Sequence, residues 1–303
     1  MRRSRPDLIF DITNVAILSL LMIIWIYPLY FVVLASFSDP YAVVTGKVFL
    51  LPVGLTVEAY QNVFQNAQIW VGYQNSLFYT IFGTAFNLFL TIPAGYALSK
   101  RYFPYRTFVT WVFLFTMFFG GGLIPHYLLV RDLGLLNTRA AMVFIGGVSA
   151  WYIVVTRTFF TSSIPFELYE AAKIDGMGEI HMFFKIALPL AAPIVAVMAL
   201  YHAVGHWNSY FNALIYINSR NLEPLQIVLR KILILNEMPF FGADVSASST
   251  QDTEYMALMA RRQYMAEAMK YSLVFIASAP LLCAYPFVQK YFVKGVMIGS
   301  LKG

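Results

Sequence analysis

The sequence is poor in charged residues and in cysteine. Asp, Glu, Lys and Arg make up 12% of its 303 residues, about half of the roughly 25% found in a soluble domain. The single cysteine, Cys283, excludes a disulfide framework within the chain and a thiolate metal cluster. Hydrophobic residues reach 59% and the mean hydropathy is +0.66. This composition predicts a protein that crosses a membrane several times.

Motifs for nucleotide binding and for catalysis are also missing. A Walker A loop needs Ser or Thr after its Gly-Lys pair, and the only such pair, Gly46-Lys47, is followed by Val48. Neither H-E-x-x-H nor G-x-S-x-G occurs in the sequence. We therefore expect that the chain is not an enzyme and that it binds no cofactor of its own.

Six segments are apolar over the roughly 20 residues that a helix needs to cross a bilayer. They predict an all-α polytopic membrane protein with a single transmembrane domain over residues 1–303 and both termini on one side. Two longer connections remain, 165–185 between spans four and five, and 209–270 on the opposite side between spans five and six. The predicted spans cover residues 12–36, 75–98, 108–130, 140–160, 186–208 and 271–291.

The distribution of Lys and Arg indicates the orientation of the chain, because cytoplasmic loops collect these residues. The two short connections opposite the termini hold only Lys47, Arg131 and Arg139. We therefore expect a multi-pass membrane protein with cytoplasmic termini and lipid around it. The same distribution explains most of the net charge of +6, so no nucleic-acid partner is expected. The basic residues on the side of the termini are Arg2, Arg3, Arg5, Lys100, Arg101, Arg106, Lys290, Lys294 and Lys302.

The connection 165–185 is the most charged part of an otherwise apolar chain. The hydroxyl of Ser163 can cap a helix, and Pro165 is tolerated in a first helical turn. Gly176 suits the left-handed residue that follows a last turn. The sequence therefore predicts a short helix over 165–175 and a second helix from 177–185 at an angle to it, leading into span five.

Small and charged residues lie next to each other in the predicted short helix. Ala171 and Ala172 allow another surface to approach its backbone, and Glu167, Glu170 and Lys173 can pair with charges on a partner. The alternative is an ordinary amphipathic helix at the lipid headgroup boundary.

The spacing of this segment resembles the EAA signature of ABC importer permeases. Glu170-Ala171-Ala172 is followed after three residues by Gly176, and after nine more by Ile186-x-Leu188-Pro189, a match at every position. In that family the segment is the coupling helix, which enters a cleft of a cytoplasmic ATPase subunit. The resemblance implies that ATPase contacts involve Glu167, Glu170, Ala171, Ala172, Asp175 and Gly176.

The resemblance extends over nearly the whole chain and is closest to the carbohydrate-uptake branch. PLQIVLR at 224–230 and YFVKGVMIGSLKG at 291–303 are similar to that branch, and within it to permeases for oligosaccharides or polysaccharides, including the alginate-like group. It implies a bacterial inner-membrane location and alternating access driven by ATP. The implied partners are a second homologous permease chain, expected as a heterodimer or else as a second copy, two ATPase subunits that bind ATP and Mg, and an extracytoplasmic solute-binding protein.

The end of span five mixes aromatic rings with amides, which suits a sugar path because rings stack on apolar sugar faces and amides bind hydroxyls. The alternative is an aromatic belt at the membrane surface. His202 and His206 lie four residues apart and could bind a metal, but no third ligand is evident, so we expect cavity lining or local hydrogen bonds and no metal site. The candidate path residues are His206, Trp207, Asn208, Tyr210, Phe211 and Asn212, with Trp151 and Tyr152 of span four.

Three other functions remain open at this point. An ABC importer permease for an amino acid or a peptide would carry the same elbow. An autonomous carrier or channel would leave the EAA spacing unexplained, and a membrane enzyme would need a catalytic set that the sequence does not contain.

Overall fold

The computed structural model describes residues 5–237 and 250–300. Arg2, Arg3, Lys302 and the centre of the predicted connection 209–270 lie outside these ranges. Within them the regular structure is helical, without a β-strand, in agreement with the predicted all-α class. The helices are α1 Arg5–Ser36, α2 Pro40–Val44, α3 Glu58–Gln65, α4 Ala67–Ser99, α5 Arg106–Phe118, α6 Leu123–Asp132, α7 Arg139–Phe144, α8 Ala150–Ser162, α9 Phe166–Ile174, α10 Glu179–Met182, α11 Leu188–Leu190, α12 Ala192–Trp207, α13 Tyr210–Tyr216, α14 Leu225–Glu237 and α15 Thr250–Ser300, with a π-helical turn at Phe183–Ala187 and a 3₁₀ turn at Arg220–Leu222.

Three of these helices are long and apolar enough to cross a membrane without a break. The candidate spans are Pro6–Ser36 in α1, Ala67–Ser99 in α4 and Gln263–Pro286 in α15. They overlap the predicted spans one, two and six. Helix α15 begins at Thr250, well before the predicted start of span six, so part of the connection 209–270 is helical.

The predicted spans 108–130 and 186–208 are each a bent pair of helices and not one straight helix. Helices α5 and α6 meet at 115°, and Glu179–Leu190 meets α12 at 80°. The first bend follows from the extended backbone of Phe119 and the run Gly120–Gly122, since glycine is a poor helix former. The described chain therefore has three candidate spans, or up to five if each bent pair crosses the membrane.

The predicted span 140–160 is also not a single helix. Helix α7 ends at Phe144, α8 begins at Ala150, and the chain between them is not helical. Ile145 is extended and Gly146 has a φ of +76°, a left-handed conformation that glycine adopts without steric cost. Neither helix has the roughly 20 residues that a single crossing requires.

The chain divides into two compact units. One consists of Met1–Ile69 and Leu229–Ala279, and the other of Trp70–Val228 and Pro280–Gly303. The first unit has a small core around Leu34 and Val43, against which Tyr271 packs. All candidate site residues belong to the second unit. Its largest core joins α4, α8, α9 and α12 through buried residues, among them Tyr96, Phe160, Tyr169, Met182 and Met198.

Candidate functional site

The charged segment 165–185 forms the elbow that its sequence predicts. Helix α9 covers Phe166–Ile174, and Gly176 follows with a φ of +75°. The amide of Gly176 donates to the Lys173 carbonyl at 3.0 Å, and the amide of Met177 donates to the Ala172 carbonyl at 2.9 Å. These two bonds form a Schellman motif, which ends the helix and turns the chain into the second arm of the elbow.

The start of α9 differs from the prediction. Pro165 is the N-cap residue, and no side chain caps the helix. Ser163 instead ends α8, where its amide donates to the Phe159 carbonyl at 2.9 Å. The expected cap by the Ser163 hydroxyl is therefore wrong, because Ser163 is the C-cap residue of α8 and the N-cap position of α9 falls two residues later, at Pro165.

Helix α9 has one face in the core and one face in solvent. Tyr169 and Ala172 are buried, so the small side chain of Ala172 permits packing inside this chain. The apolar side chains of Ile174 and Ile180 are 87% and 77% exposed, and sequence reasoning did not include them among the contact residues. The predicted contact residues on the exposed face are Glu167, Glu170, Ala171, Asp175 and Gly176.

Lys173 was expected to be available to a partner, but it is engaged within the elbow. Its Nζ lies 3.3 Å from Oε1 of Glu179 and 3.3 Å from the ring centroid of Tyr102. The hydroxyl of Tyr102 donates to Oε2 of Glu179 at 2.7 Å. Burial, followed by the hydrogen bond to Glu179 and its negative charge, raises the pKa of Tyr102. The loop after α4 therefore links the two arms of the elbow.

Lys100, in the same loop, is an unexpected part of the site. Its side chain is buried, with Nζ 2.7 Å from the ring centroid of Tyr169 and 4.2 Å from that of Tyr96. Nζ has no hydrogen-bond partner. Burial lowers the pKa of Lys100 to about 7; the charge of Glu179 opposes this decrease and that of Lys173 adds to it. In the sequence Lys100 is one of several basic residues after a span, and nothing in the pattern distinguishes it.

The histidines of α12 belong to a buried polar cluster, which we call the imidazole cluster: Asn87, Thr91, His202 and His206. The Asn87 amide nitrogen lies 2.9 Å from Nδ1 of His202 and 3.2 Å from Nε2 of His206. Thr91 Oγ1 lies 3.5 Å from Nε2 of His202. These contacts confirm the expected local hydrogen bonds. In the described chain no three His, Cys, Asp or Glu side chains are placed to hold a metal ion.

The remaining candidate path residues divide into buried and accessible ones. Trp207 is buried and packs edge-on against Tyr73, with ring centroids 6.0 Å apart. Tyr152 stacks on Tyr201 at 5.8 Å. Helix α12 ends at Trp207, and the amide of the Asn208 side chain donates to the Val204 carbonyl at 3.0 Å. The accessible residues are Trp151, Asn208 and Phe211, which are exposed, and Tyr210 and Asn212, which are half-buried.

Comparison with known proteins identifies the family. The model of the family described as "Binding-protein-dependent transport system inner membrane component" matches residues 67–297. The chain belongs to this permease family. The resemblance that the EAA spacing indicated is thereby confirmed, and the permease is an inner-membrane component of an ABC transport system. The match begins where α4 begins and includes the elbow and the imidazole cluster.

Individual relatives match the permease over almost its full length. Protein LplC of Bacillus subtilis (strain 168) is 36% identical over 303 residues, which are 100% of this chain and 98% of LplC. The polygalacturonan/rhamnogalacturonan transport system permease protein YtcP of the same organism is 34% identical, with 97% and 99% covered. A crystal structure of a bacterial ABC transporter involved in the import of the acidic polysaccharide alginate contains a chain that matches with a TM-score of 0.83 at 32% identity, covering 96% of the permease and 99% of that chain.

Membership in this family also implies partners. A permease of a binding-protein-dependent transport system works with a solute-binding protein, an ATPase and another permease. The absence of a Walker A loop in the sequence is consistent with an ATPase on a separate chain.

Proposed function

We propose that this chain is the membrane-spanning subunit of an ATP-driven importer of oligosaccharides or polysaccharides. The observation that carries the proposal is the match over 96% of the chain, at a TM-score of 0.83, to a transporter involved in alginate import. The 34% identity to a polygalacturonan/rhamnogalacturonan permease supports the same substrate class. The chain forms half of the pore, and the second half is a homologous permease, which we expect to be a different chain.

The proposed topology has six spans with both termini in the cytoplasm. Three of the spans are the continuous helices. The other three are broken spans, each made of two helical segments: α5 with α6, α7 with α8, and Glu179–Leu190 with α12. Broken helices are tolerated at membrane depth where protein or a water-filled cavity surrounds the break. The elbow then faces the cytoplasm, where each of two ATPase subunits binds ATP and Mg.

The exposed face of α9 supports its role as the coupling helix. Glu167, Glu170 and Asp175 present carboxylates beside the exposed side chain of Ile174, a mixture that suits a partner with an apolar cleft and basic residues at its rim. The opposite face of α9 shares its core with α4, α8 and α12. A displacement of α9 by a closing ATPase pair is therefore transmitted to the spans as movement of a packed body, since a packed core shifts between discrete arrangements.

Transport follows from this connection by alternating access. ATP binding closes the two ATPase subunits, the elbows move together, and the cavity opens outward to accept sugar from the solute-binding protein. Hydrolysis resets the cavity inward. In this proposal Asn208 after α12, Phe211 on α13 and Trp151 on α8 offer the accessible amide and aromatic groups for the sugar.

The assembly is tested by purifying the tagged chain from its native membrane in a gentle detergent and identifying the proteins that accompany it. We expect an ATPase and a second six-span chain, and Glu170→Arg should reduce the amount of ATPase recovered. Asp132→Arg is the matched control, because Asp132 is an exposed acid away from the elbow that pairs with the neighbouring exposed Arg131, and such a pair contributes little. A solitary protein that transports without ATP would contradict the proposal.

The substrate class is tested by reconstituting the complete complex in proteoliposomes and adding its solute-binding protein. Labelled oligogalacturonides, alginate oligosaccharides, raffinose, an amino acid and a peptide are compared for ATP-dependent uptake. Uptake of an oligosaccharide supports the proposed substrate class. Uptake of the amino acid or the peptide alone would show that the family is right and the substrate class is wrong.

A further inference from the structure

Lys100 is a buried cation between two helices. It follows the last residue of α4, and only 3% of its surface is exposed. Its Nζ faces the ring of Tyr96 on α4 and the ring of Tyr169 on α9, at 4.2 Å and 2.7 Å from the two centroids. A lysine that served only to fix topology would place its ammonium in water, as the long stem of lysine allows.

The aromatic faces are the interaction available to this ammonium. Nζ has no hydrogen-bond partner, and neither have the buried hydroxyls of Tyr96 and Tyr169. An ammonium ion loses its hydration on burial, and the negative face of an aromatic ring compensates most strongly where water is excluded. Tyr96 belongs to α4 itself, so Lys100 gains the nearer of its two aromatic partners, Tyr169, only when α9 lies against the end of α4.

The two residues after Lys100 contact the elbow on either side of its bend. The guanidinium of Arg101 lies 5.5 Å from the ring of Phe166 at the start of α9. The hydroxyl of Tyr102 donates a hydrogen bond to Glu179 beyond the bend, and the ammonium of Lys173 lies over the ring of Tyr102. The loop 100–102 thus attaches both arms of the elbow to the end of one long helix.

We propose that Lys100 is a positioning residue that clamps α9 to the end of α4, so that the two move as one body. The inference rests on the proposed function of α9 as the coupling helix. The clamp transmits the movement of α9 to the long span α4 directly. Without the clamp, ATP is still hydrolysed by the bound ATPase, but less of that movement reaches the span.

The test uses the complete complex in proteoliposomes and measures sugar taken up for each ATP hydrolysed. Lys100→Met keeps the length of the side chain and removes the charge, whereas Lys100→Arg keeps the charge. Tyr169→Leu removes the ring, whereas Tyr169→Phe keeps it and loses only a hydroxyl without a hydrogen-bond partner. Lys47→Met is a control for loss of a lysine, since Lys47 is exposed and lies over Tyr41 in the other unit.

We expect Lys100→Met and Tyr169→Leu each to lower the ratio about tenfold, which is the order of one desolvated cation–π contact. Lys100→Arg, Tyr169→Phe and Lys47→Met should stay within about twofold of the unaltered complex. The double variant Lys100→Met/Tyr169→Leu should be no worse than the worse single variant, because residues that act through one contact are not additive. An unchanged ratio in Lys100→Met, or additive losses in the double variant, would overturn the clamp.

A second measurement decides the question if a variant complex does not assemble. Amide hydrogen exchange of the purified chain should become faster in 163–180 for Lys100→Met and remain unchanged for Lys100→Arg, since local opening is limited by the contacts of a segment. Unchanged exchange in Lys100→Met would overturn the clamp. This measurement needs no ATPase, so it tests the clamp independently of the proposed function. Failure of the proposed function would instead appear in the purification experiment, where no ATPase would accompany the unaltered chain.

Discussion

The elbow and the imidazole cluster are two polar regions of the same unit, and they place their polar groups differently. The elbow contains full charges, with an ion pair between Lys173 and Glu179 near its surface and exposed carboxylates on α9. The imidazole cluster contains amide, hydroxyl and imidazole groups, buried against each other between α4 and α12. Charge is present where a partner can compensate it, and uncharged polar side chains are used within the spans, where desolvation of a charge is most costly.

This difference predicts which property of the protein, stability or coupling, mutations in each region should change. The imidazole cluster depends on close packing and on the contacts of the Asn87 amide nitrogen with both histidines, so its variants should lower stability. The elbow depends on backbone direction and on its attachment to α4, so its variants should lower coupling at nearly constant stability.

Gly83→Ala is expected to have the largest effect. A Cβ at this position would overlap the imidazole of His206, so the imidazole must shift and its contact with Asn87 is disturbed. Overpacking of this kind costs about 3 kcal/mol, and thermal unfolding of the purified chain in detergent measures it. Gly205→Ala on α12 is the control, because nothing lies within 4 Å of its Cβ and alanine favours a helix. Equal melting temperatures of the two variants would contradict the packing seen at His206.

Asn87→Leu is expected to have the next largest effect. It removes the amide that contacts both histidines, and buried groups left without partners cost about 2 kcal/mol. The control is Thr84→Val on the same helix, because the hydroxyl of Thr84 is buried without a hydrogen-bond partner and its removal should be neutral or stabilising. Thermal unfolding in detergent measures both variants. If Thr84→Val lowers the melting temperature as much as Asn87→Leu, the loss comes from replacing any buried polar group and not from the contacts of Asn87 with the histidines.

Gly176→Ala tests the elbow through its backbone. The left-handed φ of +75° costs an alanine about 1–2 kcal/mol, although no atom lies within 4 Å of the added Cβ. We expect the bend to reorient and relieve most of this strain, so that ATP-driven uptake falls several-fold while the melting temperature falls less than in Asn87→Leu. Gly178→Ala adds the same methyl group to open space at a φ of −74°, so it should transport normally. Normal uptake by both variants would show that coupling does not depend on the bend at Gly176.

The elbow could be predicted from sequence because its signals are local. Pro165, the EAA spacing and Gly176 act on residues within one or two turns, and the structure has the helix and the left-handed residue where they indicate. The direction of individual side chains depends on neighbours that are distant in sequence. Ala172 faces the core and Lys173 lies over the ring of Tyr102 for this reason, and the pattern of α9 alone does not reveal either contact.

The break in 140–160 and the burial of Lys100 could not be predicted for related reasons. Hydropathy over 140–160 does not change when a helix breaks, so the extended backbone at Ile145 leaves the apolar pattern intact. Lys100 lies in a run of basic residues after a span, which the positive-inside rule explains without any contact. Only the positions of Tyr96 and Tyr169 identify its role.

The smallest expected effect is a dependence on pH that arises from Lys100. Its pKa of about 7 is below the ordinary 10.5 because of burial, and the groups around it are Tyr96, Tyr169, Lys173 and Glu179. Between pH 7 and 10.5 the unfolded chain binds more protons at this residue than the folded chain, so the folded state gains stability from it as pH rises through this window. The cation–π contact is lost over the same rise, because a neutral amine is not attracted to the rings.

Stability and coupling should therefore move in opposite directions as pH rises above 7. We expect the melting temperature of the unaltered chain to increase relative to Lys100→Arg, whose guanidinium stays charged, while its uptake per ATP decreases relative to that variant. Melts and proteoliposome uptake at matched pH values from 6 to 9 measure both differences. If the unaltered chain and Lys100→Arg keep parallel profiles in both measurements, the ammonium of Lys100 does not titrate in this window and the elbow holds a permanent charge.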